Sequence, residues 1–395
     1  MDRRKFIKNS ALASSLFFVP NFVKAFESVA TKQFGYKRLV IVQLAGGNDG
    51  LNTVIPHNND LYYNARPRLA IKKDILKLND DLGLHPGLSP LRSLFDNGEL
   101  SIINNVGYPN PVRSHFRSMD IWQTASGADE YLQSGWLGRY LDQHGEKPYN
   151  AMEMDEQLSL AMKGEHFNGI ATNDYKVLYN AAKDPYFQSV INHYNDAHLS
   201  EHNLGYLYQT MIEAKSSANY IFENTKVKPS QEAYPQNSFA KQLKNVAQFI
   251  NSDLDTKVFY TSLGGFDTHA NQENTQARLL SQYAESVSAF VKDLKRNDTF
   301  ENTLILTFSE FGRRVKQNAA NGTDHGAASN VFVIGKNLKK AGFYNDLASL
   351  SDLDANGDLR YSVDFRSIYA TILSQWMGVS SKGIIPSQHK NLDFI

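Results

Sequence analysis

An α/β protein with a mostly parallel central sheet, covered on both sides, is what this sequence predicts, and three observations predict it. Short apolar runs, at residues 39–44, 303–308 and 331–334, have the pattern of strands buried on both faces. Between them lie longer segments with apolar residues at helical spacing, such as Leu279, Leu280, Tyr283, Val287, Phe290, Val291 and Leu294. The strands run out into polar loops that carry glycine with an acid or a histidine, the place where open α/β sheets hold their ligands.

Composition sets the outer limits. A chain of 395 residues with 42% apolar and 12% aromatic content buries a large core, as one big domain or a domain with an insertion. Lys plus Arg and Asp plus Glu both number 41, so no global field recruits nucleic acid or an anionic membrane. With no cysteine, disulfides, thiolate metal sites and cysteine nucleophiles are excluded together. Any bound metal must use nitrogen and oxygen.

Taken in order, residues 1–25 read as an export signal. Arg3-Arg4 is followed by Phe6 and Ile7, an apolar stretch at 11–19, and Val23-Lys24-Ala25 as a cleavage site. The apolar stretch is too short to span a bilayer permanently. The start resembles a bacterial twin-arginine signal, which implies the twin-arginine export machinery as partner, a periplasmic or secreted location, and a cofactor loaded before export. The folded domain is expected over 35–395.

Its first strand runs into Gly46-Gly47-Asn48-Asp49-Gly50, a glycine turn without dinucleotide or phosphate-loop spacing. Asp49 lands at a strand end, although an Asp before Gly also caps turns. Next come a helix at 90–95, a strand at 100–104, a Pro-rich loop at 105–115 and a helix at 116–124. Ser114 therefore sits near a helix amino terminus, as an N-cap or as a nucleophile supported by Arg113, with His115 and Arg117 as neighbours of the same pocket. The stretch at 135–235, with a strand expected at 158–162 and tyrosine-rich helices, reads as a helical cap or insertion. His193, His198 and His202 in it are spaced by five and four residues and read as surface or packing histidines. A helix from Ser238 and a strand at 257–261 then lead into SLGGFDTH, where Asp267 and His269 follow paired glycines. In the last polar loop, Glu310 follows the strand at 303–308, and Asp324 and His325 precede the strand at 331–334.

Asp49, Asp267, His269, Glu310, Asp324 and His325 thus fall at strand ends that a doubly wound sheet brings to one edge. Mixed oxygen and imidazole ligands suit one or two divalent ions of the Zn or Mn kind. Two ions about 4 Å apart would clamp the attacking and leaving oxygens of a phosphoryl or sulfuryl transfer, whereas one would activate water.

The motifs LAGGNDGLN, TSLGGFDTH, TFSEFGRR and GTDHG, in this order behind a twin-arginine leader, resemble an exported bacterial family, domain of unknown function 1501. The likeness covers nearly the whole mature chain. That family is placed in the alkaline phosphatase and sulfatase superfamily, which implies a three-layer α/β/α sandwich with metals at the strand ends and a hydrolase-like site. On this resemblance Asp49 matches the first-strand metal acid, and Asp267 with His269 resembles an Asp-x-x-x-His pair with shortened spacing. Glu310 takes the place of an Asp, Phe311 replaces the neighbouring His, and Thr323-Asp324-His325 resembles a later Thr-x-His. A competing alignment equates Asp324-His325 with Asp-His. Under the first alignment one imidazole is missing, and Ser114 resembles the nucleophile by position alone.

Near the end, Asp352-Leu353-Asp354-Ala355-Asn356-Gly357-Asp358 opens like a calcium loop but has Val363 at its twelfth position. It reads as a polar surface turn, followed by a closing helix at 365–376. The function expected is hydrolysis of phosphate or sulfate esters of a small molecule or glycan, with no nucleic acid and no stable membrane span. The alternative is a non-catalytic exported binding protein that keeps a metal for a glycan or protein partner.

Overall fold

The apolar runs form the middle of one nine-stranded sheet in the computed structural model, which describes residues 37–192, 203–225 and 228–395. The export signal expected at 1–25, and His193, His198 and His202, lie outside the described residues. In chain order the strands are β1 (Arg38–Ala45), β2 (Leu100–Gly107), β3 (Ala151–Glu153), β4 (Ile170–Ala171), β5 (Val258–Gly264), β6 (Thr303–Phe308), β7 (Ser329–Ile334), β8 (Gly342–Phe343) and β9 (Val363–Asp364). Across the sheet they lie in the order β8-β2-β7-β6-β1-β5-β3-β4, with β9 also paired to β2.

Strand direction decides where the loops emerge. β1 pairs in parallel with both β5 and β6, and β5 continues in parallel to β3. β7 runs antiparallel to β6 and to β2. The residues just before β7 therefore share a rim with the residues just after β1, β2, β5 and β6.

Alternate residues of the central strands enter two separate cores, as the period of two in a strand requires. Val40, Val42, Ile305 and Phe332 pack with helices α1 (Ser89–Asp96), α4 (Asn203–Thr225), α5 (Ser238–Asn251) and α6 (Gln272–Arg296). Leu39, Ile41, Leu306 and Val333 face the other way, toward α2 (His115–Thr124), α3 (Trp136–His144) and α7 (Phe365–Thr371). The result is the three-layer α/β/α sandwich with a mostly parallel sheet. Within α6 the periodic residues Leu280, Tyr283, Val287, Phe290 and Leu294 are fully buried, and Lys295 and Arg296 in its last turn complement the helix dipole. Leu280→Ala would cost about 2–5 kcal/mol through the cavity it leaves.

Several local expectations are corrected. Residues 158–162 form no strand: Leu160–Met162 is a 3-10 turn, and the sheet is extended instead by β3 and β4 from either side of it. The stretch at 135–235 is accordingly not helical throughout, since it contributes two strands to the sheet edge. The closing helix ends as α at Thr371 and continues as a wider π turn over Ile372–Trp376. Among the described residues no helix is long and apolar enough to cross a membrane.

Candidate metal centre

Four loops meet at the rim, and a glycine lets two of them touch. Gly46, at the end of β1, has φ +117 and packs so closely on the backbone of Phe266 and Asp267 that a side chain there would collide with it. Gly47, at φ +72, lies against the ring of Phe311 in the same way. Phe311 in turn supports two imidazoles, with ring centroids 4.9 Å from His115 and 4.6 Å from His325.

His115, Asp267 and His325 form the tightest cluster: one ligand atom from each lies within 4.8 Å of the others. His115 begins α2 after the loop from β2, Asp267 follows β5, and His325 precedes the antiparallel β7. His325 Nε2 is 3.1 Å from Asp267 Oδ1, and His115 Nε2 is 3.4 Å from Asp267 Oδ2. His269 closes the group from the side, its Nε2 3.1 Å from Asp267 Oδ1 and 2.9 Å from His325 Nε2.

The opposite nitrogens of all three rings face oxygen. His115 Nδ1 donates to Glu310 Oε1 at 2.9 Å, and His325 Nδ1 donates to the Arg113 carbonyl at 2.7 Å. His269 Nδ1 lies 3.5 Å from Asp324 Oδ1. These acceptors set the tautomer, placing the proton on Nδ1 and the lone pair on Nε2, as around metal-bound histidines. His115 Nε2 is buried and has no hydrogen-bond partner, so it too is left with an uncommitted lone pair. The donor set therefore fits one divalent ion.

Charge reinforces the geometry. Partial burial works against ionisation of Asp267, but the hydrogen bond and the charge of Arg313 outweigh it and hold the carboxyl well below the usual carboxylate range. The hydrogen bond to Glu310 raises the pKa of His115. A hydrogen bond from Asn318 lowers that of Asp324, whose side chain is half exposed.

The other expected residues lie elsewhere. Asp49 is 2% exposed and does not join the group. Its Oδ1 accepts from the amides of Leu51 and Asn52 as the N-cap of the turn Gly50–Thr53, while its Oδ2 accepts from Arg66 Nη1 at 2.6 Å and Gln272 Nε2 at 2.5 Å. Both oxygens are spent. Glu310 is fully buried behind His115 and also accepts the Gly46 amide at 2.8 Å. Asn48 is buried, its side chain bonded to Thr53 and Gln276. The Arg113 guanidinium turns away to Asp354 and Asp358, and only its carbonyl meets the cluster. Ser114 is the exposed N-cap residue of α2, and its hydroxyl makes no capping bond.

Two residues escaped the sequence reading. His115, expected as a neighbour of Ser114 in the same pocket, is central to the cluster. Arg313, within TFSEFGRR, carries no expected role; it is fully buried, donates to Asp267 Oδ1 at 2.8 Å and ties the carbonyls of Gly46, Gly47, Phe266 and Thr323 together.

Among solved structures, the chain is similar to a protein in the alkaline phosphatase superfamily from Vibrio parahaemolyticus, with 11% identity, TM-score 0.40, and coverage of 98% of this chain and 78% of that one. It is similar to the C-terminal periplasmic domain of EcEptC from Escherichia coli, in complex with Zn, with 13% identity, TM-score 0.40 and coverage of 91% and 89%. The PsFucS1 sulfatase from Pseudoalteromonas sp. gives 12% identity, TM-score 0.37 and coverage of 95% and 72%. No curated protein matches in sequence. The family model described as protein of unknown function (DUF1501) matches residues 36–386, nearly all of the described structure, and the chain belongs to that family.

Proposed function

We propose that this protein is an exported hydrolase of phosphate or sulfate esters of a small molecule or glycan, dependent on one divalent ion of the Zn or Mn kind. His115, Asp267, His269 and His325 would hold the ion. The observation that carries the reading is the convergence of three imidazole Nε2 atoms on one ionised carboxylate while each Nδ1 faces an oxygen. His269 Nε2 and His325 Nε2 lie 2.9 Å apart, close enough for both lone pairs to point at one shared cation. When bound, the ion supplies Lewis acidity and a water of lowered pKa.

The chain's own groups supply the rest. Asp267 and His269, 47% and 45% exposed, leave the centre open to solvent, as a catalytic and not a closed structural site requires. Glu310 orients His115, and Arg313 keeps Asp267 ionised. α2 starts at His115, so the free amides of its first turn favour an anionic ester group beside the cluster. Ser114, with its hydroxyl not spent on capping, is the nucleophile this reading puts forward. Export rests on the twin-arginine pattern at the amino terminus, with a periplasmic or secreted location.

Metal analysis of the purified mature chain, paired with a screen of aryl phosphates and aryl sulfates, tests the reading. About one ion per chain is expected, with turnover lost in His115→Ala. A bound ion without turnover, and with nothing changed by Ser114→Ala, would instead support a metal-containing binding protein.

A further inference from the structure

The calcium-like stretch at 352–358 is not a surface turn throughout. Asp358 is fully buried, and it receives the guanidinium that was expected at the reacting centre. Arg113 Nε donates to Asp358 Oδ2 at 2.7 Å, and Nη2 donates to the same oxygen and, at 3.1 Å, to Asp354 Oδ2. Asp358 Oδ1 makes no hydrogen bond and lies 3.8 Å from Arg314 Nε. A carboxylate buried this deeply is tolerable only while its cation stays in place, so Asp358 and Arg113 hold each other firmly.

Both backbone segments beside His325 therefore carry an arginine that faces this one side chain. On one side, the carbonyl of Arg113 accepts His325 Nδ1–H. On the other, Arg314 donates its amide to the Asp324 carbonyl at 3.0 Å, next to the bridge that pairs Arg313 with His325. We infer that Asp358, assisted by Asp354, is a positioning residue of the metal centre: by clamping Arg113 and facing Arg314 it fixes the carbonyl that keeps His325 protonated on Nδ1 and frees Nε2 for the ion. The inference rests on the metal reading above.

The experiment compares the mature chain with its Asp358→Asn and Asp354→Asn variants in two measurements. Competition against a chromophoric chelator gives the apparent zinc affinity; Asp358→Asn is expected to lower it by up to about 10-fold, the lower end of the range for direct partners of metal ligands, and Asp354→Asn by less. Long-range proton–nitrogen NMR of the metal-free protein gives the tautomer; His325 should be protonated on Nδ1 in the natural chain and mixed in Asp358→Asn. A merely structural aspartate would lower the melting temperature and leave the tautomer alone. In a His325→Gln background, Asp358→Asn should cause no further loss of affinity. Zinc affinity within twofold of the natural chain together with an unchanged tautomer overturns the inference. Should Asp358→Asn fail to fold, Arg113→Lys, which keeps the carbonyl but loses the two-point contact, is judged by the same two measurements. If the natural chain binds no zinc, the metal reading fails, and the tautomer alone still decides the positioning role.

Discussion

Asp49 and Asp267 arise from the same local pattern, a buried strand, two glycines and an acid two residues after the second glycine, and they sit at the ends of the neighbouring strands β1 and β5. Their fates differ. Asp49 is sealed beneath the surface, caps a helical turn and pairs with Arg66, whereas Asp267 has 47% of its side chain exposed and faces three imidazoles. What separates them is what arrives next to each. Gly50–Thr53 turns at once into a helix whose free amides claim Asp49, while Thr268 and His269 continue as open loop above Arg313. A strand-end acid is thus only an offer, and its neighbours decide whether it serves folding or chemistry.

The comparison can be broken most severely at Asp49. Asp49→Ala leaves the buried Arg66 without its counter-charge, and a loss of about 3–5 kcal/mol in chemical unfolding is expected, with metal content of the folded fraction retained. If metal is lost while stability holds, the two acids have been assigned the wrong way round. Asp267→Ala should act first on the ion, reducing zinc affinity by roughly 100-fold or more, about 2.7 kcal/mol, and should also lower metal-free stability because buried Arg313 loses its carboxylate. Chelator competition and thermal melting of the same sample check both halves.

A smaller effect is expected one contact further out. Glu310→Gln should weaken zinc binding about 10-fold. Because the Glu310 hydrogen bond raises the pKa of His115, protons compete with the ion from a higher pH in the natural chain than in the variant, so zinc affinity, scaled to each protein's plateau, should begin to fall at lower pH in Glu310→Gln. Identical release curves would separate Glu310 from His115.

A pH dependence sharpens the contrast with an acid that has neither arginine nor imidazole. Glu153, at the end of β3, is buried and accepts a hydrogen bond from the Ser159 amide, and its pKa is pushed up to about 8 by burial. The folded state then holds a proton that the unfolded state has released, so stability is full below about pH 4.5 and declines as pH rises toward 8. Glu153→Gln should flatten that decline; melting temperatures at pH 5, 6.5 and 8 with an unchanged slope would remove Glu153 as its source.

Much of this architecture was legible because its signals are periodic or adjacent. The runs at β1 and β6 and the helical spacing in α6 specify buried strands and an amphipathic helix within a few residues, and the glycines at 46 and 47 mark the turn. Asp267, His269 and His325 could be shortlisted for the same reason, each standing next to a strand. The partners of Asp49 could not: Arg66 lies 17 residues away and Gln272 lies 223 away, and a contact across such separations leaves no period in the chain. The same holds for Asp358 and Arg113, 245 residues apart, which turned a presumed reacting arginine into a support.

By itself the sequence determined the α/β class, the long central strands and helices that build it, and the rim to which its acids and histidines come, since each follows from local burial and chain direction. Only the tertiary structure decided which of those groups face one another. Charge pairs and tautomers are set by neighbours in space, and packing loops from four strands at one edge gave Asp49 to Arg66, Glu310 to His115, and the Arg113 carbonyl to His325.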